Sequence, residues 1–244
     1  MKWSVPKIWK GSCWIIGGGS SISEQFNIPE TLIPETIEQF QEYGNYLEPI
    51  HSERIIGVNI AAFLGNWVDV AYWGDSDTYT DYKKEFDEYP GLKVSSAGKF
   101  SQERFRNIKH LYKDATIGMS EDNTALSWIG RNTGSSAINL AYLLGADKIY
   151  LLGFDMYAEG RMHFHAGYPD KRRTPRTKLI NQGGKIPRVQ FNERKAEERF
   201  KRFMAGFDTI AMDCEKLSVE VINVNPKSKI ESFPKKSLSE ILNA

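Results

Sequence analysis

Cysteine is nearly missing from this chain: only Cys13 and Cys214 are present, far apart in sequence. Cys13 lies in an apolar, strand-like run and Cys214 in an expected helix. Two cysteines support neither a disulfide framework nor a zinc cage, so both read as buried thiols. Long hydrophobic runs are missing too. No stretch reaches the ~18 apolar residues of a membrane span, and residues 1–10 carry no long apolar stretch or cleavage signature. A cytoplasmic location is the expectation. There is no excess of charge of one sign: 32 Lys and Arg face 31 Asp and Glu. The whole-molecule field therefore favours neither nucleic acid nor a membrane surface, and such a partner would need a local patch. Internal repeats and low-complexity linkers are also absent, which leaves residues 1–244 to read as a single domain with a large core.

What is present is an alternation of short apolar runs with amphipathic ones, the pattern of a mainly parallel sheet flanked by helices. The expected fold is α/β and Rossmann-like. Strands are expected at residues 13–16, 55–59, 68–73, 92–95, 148–154 and 219–224, with a further edge segment near Tyr112 and residues 116–119. Helices are expected at 35–47, 59–64, 136–144, 192–217 and 237–242. The third of these has Asn132 or Thr133 as its cap and Gly145 as its terminator. The fourth carries Phe200, Phe203 and Phe207 at helical spacing. Residues 157–190 are polar, basic and too long for an ordinary connector, so they read as a functional loop or lid.

Chemistry concentrates where strands end. Ile15-Ile16-Gly17-Gly18-Gly19-Ser20-Ser21 runs a buried strand into small residues, where backbone N–H groups can close around a phosphate. It is not the dinucleotide fingerprint, whose third glycine would fall at Ile22, and the next strand ends in Asn59 rather than an acid. It is not a Walker loop either, since no Gly-Lys-Ser/Thr follows. A plain strand-to-helix turn is the alternative. Gly74-Asp75-Ser76-Asp77 offers Asp75 to a ribose or acceptor, or Asp75 and Asp77 together to a divalent magnesium or manganese ion. Asn132-Thr133-Gly134-Ser135-Ser136 starts a helix apolar almost all round and suits an anion or a base edge, or simply caps a core helix. Asp155 ends the clearest strand, and His163 and His165 follow it, on one side if the segment is extended. Arg172 and Arg173 belong to a basic loop, 171–188, able to clamp phosphate or touch a nucleic-acid backbone. Trp67, Tyr72, Trp73, Tyr79 and Tyr82 cluster nearby; Tyr72 or Trp73 is better suited to the core than to a stacked base.

Taken together these segments resemble the sialyltransferase-like superfamily, in particular its phage and prophage members. That superfamily also takes in Maf-type flagellin glycosyltransferases and hydroxymethylpterin diphosphokinase-like proteins. The resemblance rests on Trp9-Lys10-Gly11 before the first glycine turn, Gly57-Val58-Asn59, Trp73-Gly74-Asp75, Asn132 to Ser136, Leu140 to Ala146, Leu151 to Met156, Gly160 to His165, and Asn225-Pro226-Lys227-Ser228 with Phe233-Pro234. It spans nearly the whole chain. It implies a nucleotide or nucleotide sugar held across the strand ends. Gly18, Gly19, Ser20 and Asn59 would lie on the phosphate and sugar side, Thr133 to Ser136 by the nucleotide, and Asp155 by its ribose. Where the sialyltransferases carry their catalytic histidine, this chain reads Ile186-Pro187-Arg188-Val189-Gln190-Phe191 and has none.

The expected function is sugar transfer from a nucleotide-sugar donor, with His163 or His165, or Asp155 as second choice, as base. The alternatives are a magnesium-dependent diphosphokinase using Asp75 and Asp77, and a nucleotide-binding module without catalysis. A homo-oligomer fits any of these readings.

Overall fold

The computed structural model describes residues 3–158, 161–168 and 193–243. In chain order the elements are β1 (Ser12–Ile16), α1 (Ser21–Gln25), α2 (Ile37–Asn45), β2 (Ile55–Val58), β3 (Val70–Trp73), α3 (Ser76–Asp81), α4 (Lys83–Glu88), β4 (Leu92–Ser95), β5 (Lys109–His110), β6 (Tyr112–Asp114), β7 (Ala125–Ser127), α5 (Thr133–Leu144), β8 (Lys148–Leu152), α6 (Glu193–Met204), α7 (Phe207–Lys216), β9 (Glu220–Asn223) and α8 (Leu238–Leu242). Seven strands form one sheet in the order β5-β4-β3-β2-β1-β8-β9, and every pairing is parallel. β6 and β7 pair separately, also in parallel. This is the α/β, Rossmann-like architecture that the alternating apolar runs predict.

The continuous apolar run of β1 follows from burial on both faces. Successive side chains alternate. Cys13 and Ile15 join one core cluster with Ile138 and Leu140 of α5 and Ile210 of α7. Trp14 and Ile16 join the other with Ile22 of α1, Phe40 and Tyr43 of α2 and Phe86 of α4. Both cysteines are buried free thiols. Among the described residues no helix is long and apolar enough to cross a membrane.

The chain leaves β1 towards β2 and steps outward to β5. It then returns to the other side of β1 as β8 and ends at β9. β1 and β8 are thus neighbours whose onward connections diverge, which opens a crevice at their carboxyl ends. Several expectations are corrected here. Residues 116–119 form no strand. The expected helix over 192–217 is two helices. They break at Ala205-Gly206 because Gly206 packs against Ile129, and a β-carbon there would lie 2.9 Å from the Ile129 carbonyl oxygen. Residue 192 itself, and most of the expected lid, lie outside the described residues. β2 stops at Val58, because Asn59 turns left-handed (φ 56°) into a 3-10 turn.

Candidate functional site at the carboxyl rim

The first glycine turn leaves β1 at the crevice and is bound down by the loop after β8. Alternate amides point that way. Gly17 N donates to Leu152 O at 2.8 Å, Gly19 N to Gly153 O at 2.9 Å, and Ser21 N to Asp155 Oδ2 at 2.9 Å. The turn is glycine-rich for a steric reason. A β-carbon on Gly17 would sit 2.8 Å from Gly153 O, and one on Gly18 would sit 2.8 Å from His163 Nδ1. One on Gly19 would fall 2.6 Å from Gly153 O and closer still to Asp155 Oδ2. The amides of Gly17, Gly19 and Ser21 are therefore engaged in holding two loops together. Within this turn the amides of Gly18 and Ser20 have no partner among the described residues and are left over for a guest.

Asp155 is the clasp. Its carboxylate also accepts from Ser21 Oγ and from Asn225 Nδ2 (2.9 Å), and its own carbonyl accepts from Lys229 N. A buried, acceptor-only carboxylate with both oxygens committed joins three loops. These contacts tie the first glycine turn to the loop after β8 and to the loop carrying Asn225.

The second glycine-serine turn reaches the same rim. Asn132 caps α5, its Oδ1 accepting from Gly134 N at 2.8 Å, while its buried Nδ2 has no partner. The Phe154 ring lies between the two turns: it is 3.1 Å from the β-carbon position of Gly17 and 2.7 Å from that of Gly134. Thr133 Oγ1 stands 2.7 Å from the β-carbon position of Gly74, after β3. Ser135 and Ser136 are fully buried. Ser135 Oγ donates to Asn132 O (2.8 Å), and Ser136 Oγ to Ser127 O. Their hydroxyls are taken by the helix start and by the core.

The histidine segment crosses above. Phe164 is wholly buried among Phe40 and Tyr43, and its N–H donates to Gly18 O at 2.9 Å. That anchor throws His163 and His165 to one side. Their rings stack 5.1 Å apart and 4° from parallel, and both meet the Tyr168 ring edge-on. Desolvation pulls the His163 pKa down from its ordinary 6.5 to about 4, the Arg199 charge adds to this, and a hydrogen bond to the Gly18 backbone opposes it. His165 Nδ1 accepts from Gly167 N at 3.2 Å, so in the neutral ring the proton sits on Nε2. Burial raises the Tyr168 pKa, while a hydrogen bond from Asn59 partly offsets it.

Beside this stack lies a cleft of about 400 Å³ lined by Asp75, Asp77, Thr78, Asp81, Tyr168 and Arg199. Asp75 and Asp77 both line it. Among the described residues, however, no group of three or more potential ligands gathers for a metal ion, so a divalent ion there would depend on the guest for its remaining ligands. Tyr72, Trp73 and Tyr79 are core residues, Trp67 stacks on His51, and Tyr82 anchors the histidine segment by donating to Gly167 O. Arg172, Arg173 and the rest of the basic loop lie outside the described residues. Sequence reasoning missed Phe154, Tyr168 and Arg199. Tyr168 sits in the flagged polar stretch, but Arg199 is one cation among many on a charged helix.

Left-handed backbone marks the same rim. Asn59 (φ 56°), Arg131 (φ 51°) and Met156 (φ 56°) all sit where a strand ends or α5 begins. Non-glycine residues adopt this region at a cost, and such strain collects at functional sites.

The Maf glycosyltransferase from Magnetospirillum magneticum AMB-1 superposes on this chain with a TM-score of 0.54 at 14% identity. The fold is shared with a glycosyltransferase. The match covers 97% of this chain but 36% of the Maf protein, so the chain spans about a third of that relative's length. The sialyltransferase CstII from Campylobacter jejuni, solved with cytidine-5'-monophosphate, gives a TM-score of 0.49 at 12% identity, over 95% of this chain and 86% of that one. The α-2,3-sialyltransferase Cst-I of the same organism gives 0.41 at 14%, over 93% and 80%. No protein-family description matches the chain, and no curated protein does.

Proposed function

We propose that this chain transfers a sugar from a nucleotide donor to an acceptor hydroxyl at the carboxyl rim. The observation that carries this reading is the convergence, at the β1/β8 crevice, of the first glycine turn and the start of α5 on either side of Phe154, under a stacked histidine pair and beside a cleft. Ligands of open α/β sheets bind where strand connections diverge. The fold shared with a Maf glycosyltransferase supports sugar transfer over other nucleotide chemistry.

In this reading the roles follow from the geometry. His163 is neutral at pH 7 and takes the acceptor's hydroxyl proton. The acceptor oxygen then bonds to the anomeric carbon, and the carbon–oxygen bond to the donor phosphate breaks, its electron pair leaving on the phosphate oxygen. His165, with its proton on Nε2, is a donor for that oxygen. The free amides of Gly18 and Ser20, and Asn132 Nδ2 with the start of α5, are further donors at the rim. Asp155 holds the first turn in place, and Asn59 orients the Tyr168 hydroxyl.

The test is a panel of CMP-, UDP- and GDP-linked sugars, with free nucleotide release followed by chromatography. Turnover of one donor by the native chain, with nucleotide still bound but turnover lost in the His163→Ala/His165→Ala double variant, is the expected result. Full turnover in that variant removes the histidines from the mechanism. Neither binding nor turnover of any donor removes the transferase reading.

A further inference from the structure

Arg199, on α6, lines this cleft together with Asp75, Asp77 and Asp81. Among the described residues no hydrogen bond or ion pair holds its guanidinium, whereas Arg194, on the same helix, lies 3.8 Å from Glu198. Lys201 and Arg202 have no such partner among the described residues either, and what sets Arg199 apart from them is its place in the cleft lining. The backbone at Arg199 is held by packing, while its side chain is exposed. Its neighbour Phe200 is buried, and α6 rests on the Ile129–Arg131 turn, where a β-carbon on Gly130 would lie 3.4 Å from Phe203 O. Tyr168, which lines the same cleft, meets both histidine rings edge-on, so Arg199 shares the cleft with a residue of the histidine stack, and its charge acts on His163 and Tyr168.

An unpaired guanidinium facing a cleft is an unused, planar fork of N–H donors, and that fork matches the oxygens of a phosphate. Asp75, Asp77 and Asp81, which line the same cleft, repel phosphate but accept hydrogen bonds from sugar hydroxyls. The cleft thus offers one cation to an anion and three carboxylates to a polyol. We propose that Arg199 takes the phosphate of the sugar nucleotide, with the sugar turned towards α3. This rests on the transferase reading above and adds to it the residue that sets the donor's direction. As the anomeric bond breaks, charge grows on the phosphate oxygen, so a cation placed there stabilises the transition state more than the ground state.

The experiment is calorimetric titration of the native chain, Arg199→Ala and Arg199→Lys with CMP, UDP and GDP and with the matching nucleosides. Arg202→Ala, an exposed arginine on the same helix, is the control. For the nucleotide that the native chain binds, Arg199→Ala should weaken affinity roughly tenfold to a hundredfold. Arg199→Lys should recover part of the loss, Arg202→Ala should match the native chain, and affinity for the phosphate-free nucleoside should be unchanged in all of them. Equal nucleotide affinity in Arg199→Ala and the native chain overturns the assignment of Arg199 and leaves the transferase reading standing. An equal loss for nucleoside and nucleotide overturns it as well, because the phosphate would not be what Arg199 holds. A native chain that binds none of the nucleotides or donor sugars overturns both.

Discussion

A methyl group on Gly19 would press into the Gly153 carbonyl and the Asp155 carboxylate together. Gly19→Ala should therefore loosen the clasp between the first turn and the loop after β8, at a cost of about 1–3 kcal/mol, read as a lower urea midpoint. Asp155→Asn tests the same clasp by charge. The substituted amide turns an N–H₂ towards a neighbour that also donates, Ser21 or Asn225, and a stability loss of about 1–3 kcal/mol is expected. If Asp155 were instead a base on the acceptor, the variant would keep its stability and lose only turnover. His163 gives a pH test. Its folded pKa of about 4 lies below the ordinary 6.5, so between those values the unfolded chain binds a proton that the folded ring refuses. The stability tied to a neutral His163 is complete above pH 6.5 and falls as pH drops towards 4. His163→Gln should flatten the urea midpoint measured across that window, and an unchanged slope would mean that another group titrates there.

Helix α5 shows how one element serves both packing and site. Its apolar body is buried between the sheet and α7, and its amino end emerges beside Gly74 and Phe154. Asn132 holds that end through Gly134 N. Asn132→Ala should cost about 1 kcal/mol through the lost cap and should weaken nucleotide affinity as well, since the partnerless Nδ2 disappears with it. Calorimetry with the nucleotide the native chain prefers separates the two effects. A variant that loses the stability and keeps the affinity would leave Asn132 a cap and nothing more.

At the scale of the whole molecule, the strand order decides where a ligand can sit. Five strands step outward from β1 to β5, and the return to β8 places the loop carrying Phe154 and Asp155 against the first glycine turn. The same crevice is roofed by a histidine segment that is tied to Gly18 and to Pro34. A guest bound there contacts groups from β1, β3, β8, α5 and α6, all of which separate on unfolding. It should raise the melting temperature, by the equivalent of about 2.7 kcal/mol at a hundred times its dissociation constant. A thermal-shift screen of CMP, UDP and GDP sugars checks this, and a flat response across the panel argues against the crevice as a nucleotide site.

Local pattern was enough for the parallel sheet, because burial on both faces forces near-continuous apolar runs such as Cys13-Trp14-Ile15-Ile16, and for the end of α5, because Gly145 takes the left-handed cap (φ 109°) at little cost. It was also enough for the two small-residue turns, while the shared side of His163 and His165 was expected only of an extended segment and comes instead from a backbone that bends at residues 162–164 and is tied to Gly18 O through Phe164 N. Tertiary structure decided what those residues do. The Ser136 hydroxyl turns inward to Ser127 O and Asp155 becomes a clasp because their partners come from other segments, whereas the Ser135 hydroxyl is claimed locally by Asn132 O. The break at Gly206 depends on the Ile129–Arg131 turn packing against the end of α6 and the start of α7. That contact between distant segments has no periodicity, and no residue spacing encodes it.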